Sequence, residues 1–279
     1  MPGCARDDDA PQVDLALNPF EAELPALVDV AVAAEAHGVD GLWTADHFSG
    51  AVVDRRWSRD PFVTLGAVAH ATTRVRVGPL VANIRNRHAA QLASAANSLQ
   101  SLAPGRVVLG VGSGAAPGSR FAVEHEAIGT ELGTAGRRRE LLESSIIELR
   151  RTFESGTAST GSVGADSVSV PHGVTDGSTC PPIIVGASAR ATVDVALGQA
   201  DGINLRYGSQ VPELVAHARN VRGADFEVSV LVWHDIDRGA LHELRDAGVD
   251  RVVIGVLAEH GVGQVEELLD RVWSDLAMR

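Results

Sequence analysis

Short apolar runs alternate with longer amphipathic runs along almost the whole of this chain, and that alternation restricts the fold more than any other feature. Strands are predicted at 12–18, 41–45, 75–82, 106–112, 182–186, 202–205, 227–233 and 251–256, rich in Val, Ile and Leu and bounded by Gly, Asp or Pro. Several do not alternate, as in Val107-Val108-Leu109-Gly110-Val111, which is the pattern of strands covered on both faces and paired in parallel. Helices are predicted after each strand, at 22–37, 61–72, 88–102, 136–153, 189–199, 211–221, 238–247 and 263–277, with apolar residues at helical spacing such as Leu141, Leu142, Ile146 and Leu149. Eight βα units in order point to a single (β/α)₈ TIM barrel over residues 1–279, with an open doubly wound sheet as the alternative.

Composition removes whole classes of function. With 24 basic against 36 acidic residues the net charge is −12, which disfavours nucleic acid as a partner. All the basic residues are arginine: the chain contains no lysine, which excludes Schiff-base chemistry and the phosphate-binding lysine of a P-loop. No apolar run approaches a membrane span, and residues 1–9 lack the apolar core of a signal peptide, so a cytoplasmic protein is expected. Cys4 and Cys180 are too few for a disulfide scaffold. Residues 155–179, rich in Ser, Thr and Gly, read as a mobile insertion between the fourth helix and the fifth strand, either a lid over the site or a plain surface loop.

In a βα barrel, chemistry sits at the C-terminal ends of the strands. Asp46-His47 ends the second strand, and His47 is a candidate acid or base, although a structural Asp beside a hydrogen-bonded His reads equally well. Gly112-Ser113-Gly114 ends the fourth strand, either as a cradle for a flat or phosphorylated ligand or as a tight turn. Gly186-Ala187-Ser188 opens the next helix, as a phosphate site or with Ser188 as an ordinary N-cap. His47, His234, Asp235 and His260 lie at strand ends, but no HxH or HExxH spacing preorganises them, so no metal is expected.

Beyond these readings, Asp40-Gly41-Leu42-Trp43-Thr44-Ala45-Asp46-His47-Phe48 resembles the second-strand motif of the bacterial-luciferase-like superfamily of flavin-dependent monooxygenases and coenzyme F420-dependent oxidoreductases. Asp60-Pro61-Phe62, Thr72-Thr73-Arg74-Val75-Arg76-Val77-Gly78, Leu102 through Gly114, and Pro181 through Ser188 are similar to its later blocks and keep their order. The resemblance implies a homodimeric (β/α)₈ enzyme acting on a small molecule. It implies proton transfer by His47 with Asp46 near the cofactor, and a non-proline cis peptide near Leu80-Val81 behind the ring. It places Leu80, Val81, Asn83, Gly112, Ser113 and Gly114 around the cofactor and Gly186, Ala187 and Ser188 on its phosphate. It departs at Ala115, where the family's sugar-phosphate dehydrogenase has a glutamate, and in having no lysine for a substrate phosphate; sugar-phosphate oxidation is therefore disfavoured. Coenzyme F420 is the expected cofactor, FMN the alternative and a flavin-binding barrel without turnover a third reading. The anionic tail of F420 would call on loop arginines such as Arg55, Arg56, Arg59, Arg85, Arg87, Arg120 and Arg206, which read otherwise as solvated partners of local acids.

Overall fold

A computed structural model describes residues 10–159, 169–170 and 173–277. Nine parallel strands form one sheet in the order β3-β2-β1-β11-β10-β9-β8-β5-β4. They are β1 (Gln12–Leu17), β2 (Gly41–Thr44), β3 (Arg76–Pro79), β4 (Ala82–Asn83), β5 (Leu109–Gly112), β8 (Ile183–Ala187), β9 (Gly202–Arg206), β10 (Glu227–Trp233) and β11 (Arg251–Gly255). An isolated parallel bridge between Val77 and Val107 joins the two ends of that order, so the sheet curls into a barrel. β3 and β4 are two pieces of one barrel strand, interrupted at Leu80-Val81, where the peptide is cis as the resemblance implied.

Helices α1 (Leu24–Ala36), α2 (Pro61–Ala71), α3 (Ala89–Leu102), α5 (Ala135–Ser155), α6 (Arg190–Gln199), α7 (Val211–Arg222), α8 (Arg238–Asp246) and α9 (Val262–Ala277) follow the strands as expected. Their starts obey local chemistry. Asp60 caps α2 ahead of Pro61, His88 and Gln91 form a capping box on α3, and Thr134 and Asp237 cap α5 and α8. The main core lies between helices and sheet, where Leu15, Leu42, Leu65, Leu92, Leu142, Ile183 and Leu269 are fully buried. Both faces of each strand are thus covered, which is why the strands read as continuous apolar runs.

Inside the barrel, Trp43, Val108, Ile184 and Val253 form a second cluster, with Ala16, Leu80 and Leu231 packed on it. The N-terminal end of the barrel is filled by charge. Arg76, Glu227 and Arg251 each open their strand. Arg76 binds Glu227 through two 2.8 Å bonds, Arg251 bridges Glu227 (3.1 Å) and Asp14 (2.8 Å), and Trp43 Nε1 donates to Asp14 at 2.9 Å. Burial pushes the Asp14 carboxyl above its ordinary pKa despite Arg251, Arg76 and Trp43. Burial acts on Glu227 in the same direction, but Arg76 and Arg251 together hold it below its ordinary value.

Two elements differ from the sequence reading. The stretch between β5 and α5 contains a further helix, α4 (Ala122–Ala127), too short to show a period. The insertion lies where it was placed, and a two-residue antiparallel pair, 158–159 (β6) with 169–170 (β7), forms in it. Residues 160–168 and 171–172 of it lie outside the described residues. Its described ends bind α3 and α5: Ser178 Oγ donates to Asn97 Oδ1, Gln100 donates to the Thr179 carbonyl, and Thr175 Oγ1 donates to the Thr152 carbonyl. These ends connect the C-terminus of α5 to the start of β8, so they root at the end of the barrel opposite the strand C-termini and give the lid reading no support.

Asp14 is fully buried, and Arg251 is its direct cation partner. Arg251→Ala is therefore expected to lower unfolding stability by about 3–5 kcal/mol, the usual result of stranding one half of a buried pair. Urea denaturation measures it; a loss under about 1 kcal/mol would show that the network does not hold the barrel floor.

Candidate active site

His47 follows β2 at the C-terminal end of the barrel, on the loop that leads to the 3₁₀ turn Gly50–Val53. Its Nδ1 lies 2.7 Å from Glu124 Oε2 on α4. Glu124 Oε1 accepts the backbone N–H groups of Phe48 (2.7 Å) and Ser49 (2.8 Å). Glu124 is almost completely buried, and both its oxygens are engaged by the His47 loop. With Glu124 a carboxylate, the His47 proton sits on Nδ1 and Nε2 is left to exchange a proton with a ligand. The imidazole is held between Phe20 and Phe121, each with its ring centroid 5.6 Å away.

Asp46 faces elsewhere. Its carboxylate accepts the Asn83 backbone N–H (2.9 Å) and the Arg87 guanidinium, which also reaches Asp60. Asp46 thereby ties the end of β2 to β4 across the bulge, and the carboxylate that meets His47 is Glu124.

The next residue of α4, His125, is fully buried and holds the glycine turn. Its Nε2 lies 3.2 Å from the Ala115 N–H and 3.1 Å from Asn83 Nδ2. A backbone N–H can only donate, so Nε2 is the acceptor and the ring is neutral with its proton on Nδ1. That Nδ1 is buried without a partner. Gly114 turns at φ +80°, and an added Cβ there would come within 2.6 Å of Arg85 Cγ, so no other residue fits easily. Gly112 and Gly186 have another reason to be glycine: an added Cβ would meet the Val81 side chain at 2.5 and 3.0 Å. They make room for the bulge as well as for a ligand.

Half-buried Ala16, Leu80 and Leu231 provide an apolar floor at this mouth. Trp233, 57% exposed, lies against Gly255, where a Cβ would stand 2.8 Å from its ring. Ser188 does not cap α6: the N-cap is Ala189, which offers no side-chain bond, so the helix start and the exposed Ser188 hydroxyl are available to an anion. The structure therefore brings His47, Asp46, Leu80, Val81, Asn83, Gly112, Ser113, Gly114, Gly186, Ala187, Ser188 and Arg206 to one end of the barrel. Sequence reasoning missed Glu124, His125 and Phe121. The available signal was the apolar and acidic cluster 121–128 between Gly118 and Gly129, both at positive φ.

Most of the loop arginines are already engaged. Arg55 and Arg56 pair with Glu21, Arg59 with Glu23, Arg85 with the Glu131 carbonyl and Arg87 with Asp46 and Asp60. A cavity of about 510 Å³ lined by Gln12, Asp225, Glu227, Asp250 and Arg251 lies at the opposite end and shares no residue with the mouth. Among the described residues no group of three or more His, Cys, Asp or Glu is placed to hold a metal ion, and no helix is long and apolar enough to cross a membrane.

A sequence model of the luciferase-like monooxygenase family matches residues 7–233. The chain belongs to that family. It is 42% identical over 89 residues to the F420-dependent glucose-6-phosphate dehydrogenase of Nakamurella multipartita, covering 32% of this chain and 26% of that one. It is 36% identical over 81 residues to the 5,10-methylenetetrahydromethanopterin reductase of Methanolobus tindarius, covering 29% and 22%. The aligned parts thus span about a quarter of these curated relatives. In structure it is similar to an F420-dependent secondary alcohol dehydrogenase in complex with an F420-acetone adduct, with TM-score 0.76, 16% identity and coverage of 96% and 100%. It is also similar to a riboflavin lyase with modified FMN and riboflavin, with TM-score 0.75, 11% identity and coverage of 95% and 91%. At such identities the likeness establishes the barrel fold.

His125 gives the site a pH-dependent support. Burial holds its imidazole below the ordinary pKa; Glu124 opposes this, while Arg85 and His47 add to it. In the unfolded chain a histidine takes up a proton as the pH falls through about 6.5. In the folded chain His125 stays neutral to lower pH. The unfolded state then binds more protons, so stability is lost as the pH drops below about 6.5. In His125→Gln the amide oxygen can still accept the Ala115 N–H. Thermal melts from about pH 7.5 to 5.5 are expected to fall more steeply for the unmodified protein than for this variant, by at most about 1.4 kcal/mol per pH unit. Parallel curves would remove His125 as the responsible group.

Proposed function

We propose that this chain is a coenzyme F420-dependent oxidoreductase that moves a hydride between the deazaflavin and a small organic substrate. The observation that carries this reading is the Glu124–His47 pair at the barrel mouth, with His47 20% exposed above an apolar floor. The pair counts against a binding barrel without turnover, because an imidazole oriented by a buried carboxylate is arranged for proton transfer. The names of the relatives add support, two of them F420-dependent by their own description.

The residues of the mouth fit the cofactor. The uncapped start of α6 with Gly186, Ala187 and Ser188 suits its phosphate, and Leu80 and Val81, one packed on the inner apolar cluster and the other against Gly112 and Gly186, are apolar neighbours for the ring. Asn83, Gly112, Ser113 and Gly114 line the same opening. Bound F420 supplies a hydride donor or acceptor at carbon 5, with no nitrogen there to activate oxygen. The chain's own work is to hold a proton on His47 Nε2 or remove one there, to keep that nitrogen aimed through Glu124, and to exclude water with Phe20, Phe121 and Trp233. Asp46 acts through Asn83 and Arg87 on the shape of the bulge. Ala115 and the lack of lysine argue against glucose 6-phosphate as the substrate. A second reading, FMN with oxygen chemistry, is favoured by the barrel's similar likeness to the riboflavin lyase with modified FMN, TM-score 0.75 against 0.76.

Separate titrations with F420 and FMN, followed by fluorescence and thermal shift, decide between them. F420 at a hundredfold excess over Kd is expected to stabilise the fold by about 2.7 kcal/mol, and FMN is expected to do much less. Stabilisation by FMN alone would overturn the F420 reading. Once a substrate is found, His47→Ala should keep cofactor affinity and lose about 10²–10⁴ in kcat; unchanged turnover would remove His47 from the proton path.

A further inference from the structure

The barrel mouth carries an uncompensated positive pair in a protein of net charge −12. Arg120, on the stretch leading into α4, and Arg206, the last residue of β9, are both exposed, and their side chains make no hydrogen bond or ion pair with any described residue. Both guanidinium groups lie over the same ring, Phe121, with their central carbons 4.8 Å and 5.8 Å from its centroid. The two cations are thus no further apart than the sum of those distances, and they repel each other. Four acids of the surrounding loops and α4 are committed to other partners. Glu124 is engaged by His47, Phe48 and Ser49, Asp46 and Asp60 by Arg87, and Glu21 by Arg55 and Arg56.

Phe121 links the pair to the chemistry. Its other neighbour is His47, stacked at 5.6 Å with an interplanar angle of 19°. An anion bridging Arg120 and Arg206 would lie one ring away from the nitrogen assigned to proton transfer. Under the proposed function the cofactor's phosphate takes a separate place, the uncapped start of α6.

We propose that Arg120 and Arg206 bind a carboxylate or phosphate group of the substrate, so that the substrate is a small organic anion whose reacting carbon lies beside His47. This rests on the oxidoreductase reading above, and it moves Arg206 from the cofactor to the substrate. A bridging anion relieves the repulsion of the two cations and gains charge-assisted hydrogen bonds from both. An uncharged substrate would leave the pair uncompensated.

The test compares benzoate with its neutral isostere benzamide, and inorganic phosphate with no added anion, at constant ionic strength, by calorimetry and NMR. The proteins are the unmodified chain and the Arg120→Gln/Arg206→Gln variant, each with and without F420. Benzoate or phosphate is expected to bind the unmodified protein, benzoate about tenfold tighter than benzamide, with the preference gone in the variant and F420 affinity unchanged within about twofold. Failure of both anions to bind, or an equal preference in the variant, overturns the proposal. So does a variant that loses F420 but keeps the truncated deazaflavin lacking the phosphodiester and glutamates, because the arginines would then serve the cofactor tail. If F420 does not bind at all, the anion preference of the cofactor-free protein still decides the proposal, and only the cofactor reading fails.

Discussion

A charge network built around buried Asp14 and Arg251 holds the N-terminal end of the barrel together, and the position of everything else depends on it. Asp14, Arg76, Glu227 and Arg251 come from four strands and meet with Trp43 where those strands begin. Burying Asp14 and Arg251 is expensive unless each is paired, and the Arg251 bridge to Asp14 and Glu227, backed by the bidentate Arg76–Glu227 contact, provides that pairing. The network sets the register of β1, β3, β10 and β11 at their N-terminal ends. The barrel interior is therefore filled from below by charge and by Trp43, Val108, Ile184 and Val253.

At the opposite end, one short helix does two jobs with adjacent residues. Consecutive positions on a helix point about 100° apart. Glu124 consequently reaches the His47 loop, while His125 reaches the Ala115 N–H and Asn83 at the ends of the fourth and third barrel strands. Asp46 completes the connection by accepting the Asn83 N–H. The His47 loop, the cis bulge and the glycine turn are thus joined in one hydrogen-bonded unit. A change at α4 should be felt at all three.

The barrel was legible because its signals are local and repeated. Strands covered by helices on both faces must be apolar throughout, and helix starts such as Asp60-Pro61 and Asp237 announce themselves in a few residues. The split of the third strand was placed at Leu80-Val81 by the resemblance; no periodicity reveals it. The six-residue α4 was not read because it is under two turns long, too short for a hydrophobic period to register. The partner of His47 was missed for the same reason, since Glu124 lies 77 positions further along the chain.

The sequence by itself determined the strand and helix order, the parallel barrel and the chemistry denied to a chain without lysine, because these follow from the residue types present and their spacing. It also marked His47 and the two glycine clusters, since strand ends in such a barrel converge. Only the tertiary structure decided which carboxylate meets His47, which loop arginines remain without an acid, and that Arg120 and Arg206 both reach the ring of Phe121. Those are contacts between elements far apart in the chain, fixed by strand register and by how α4 settles on the barrel mouth.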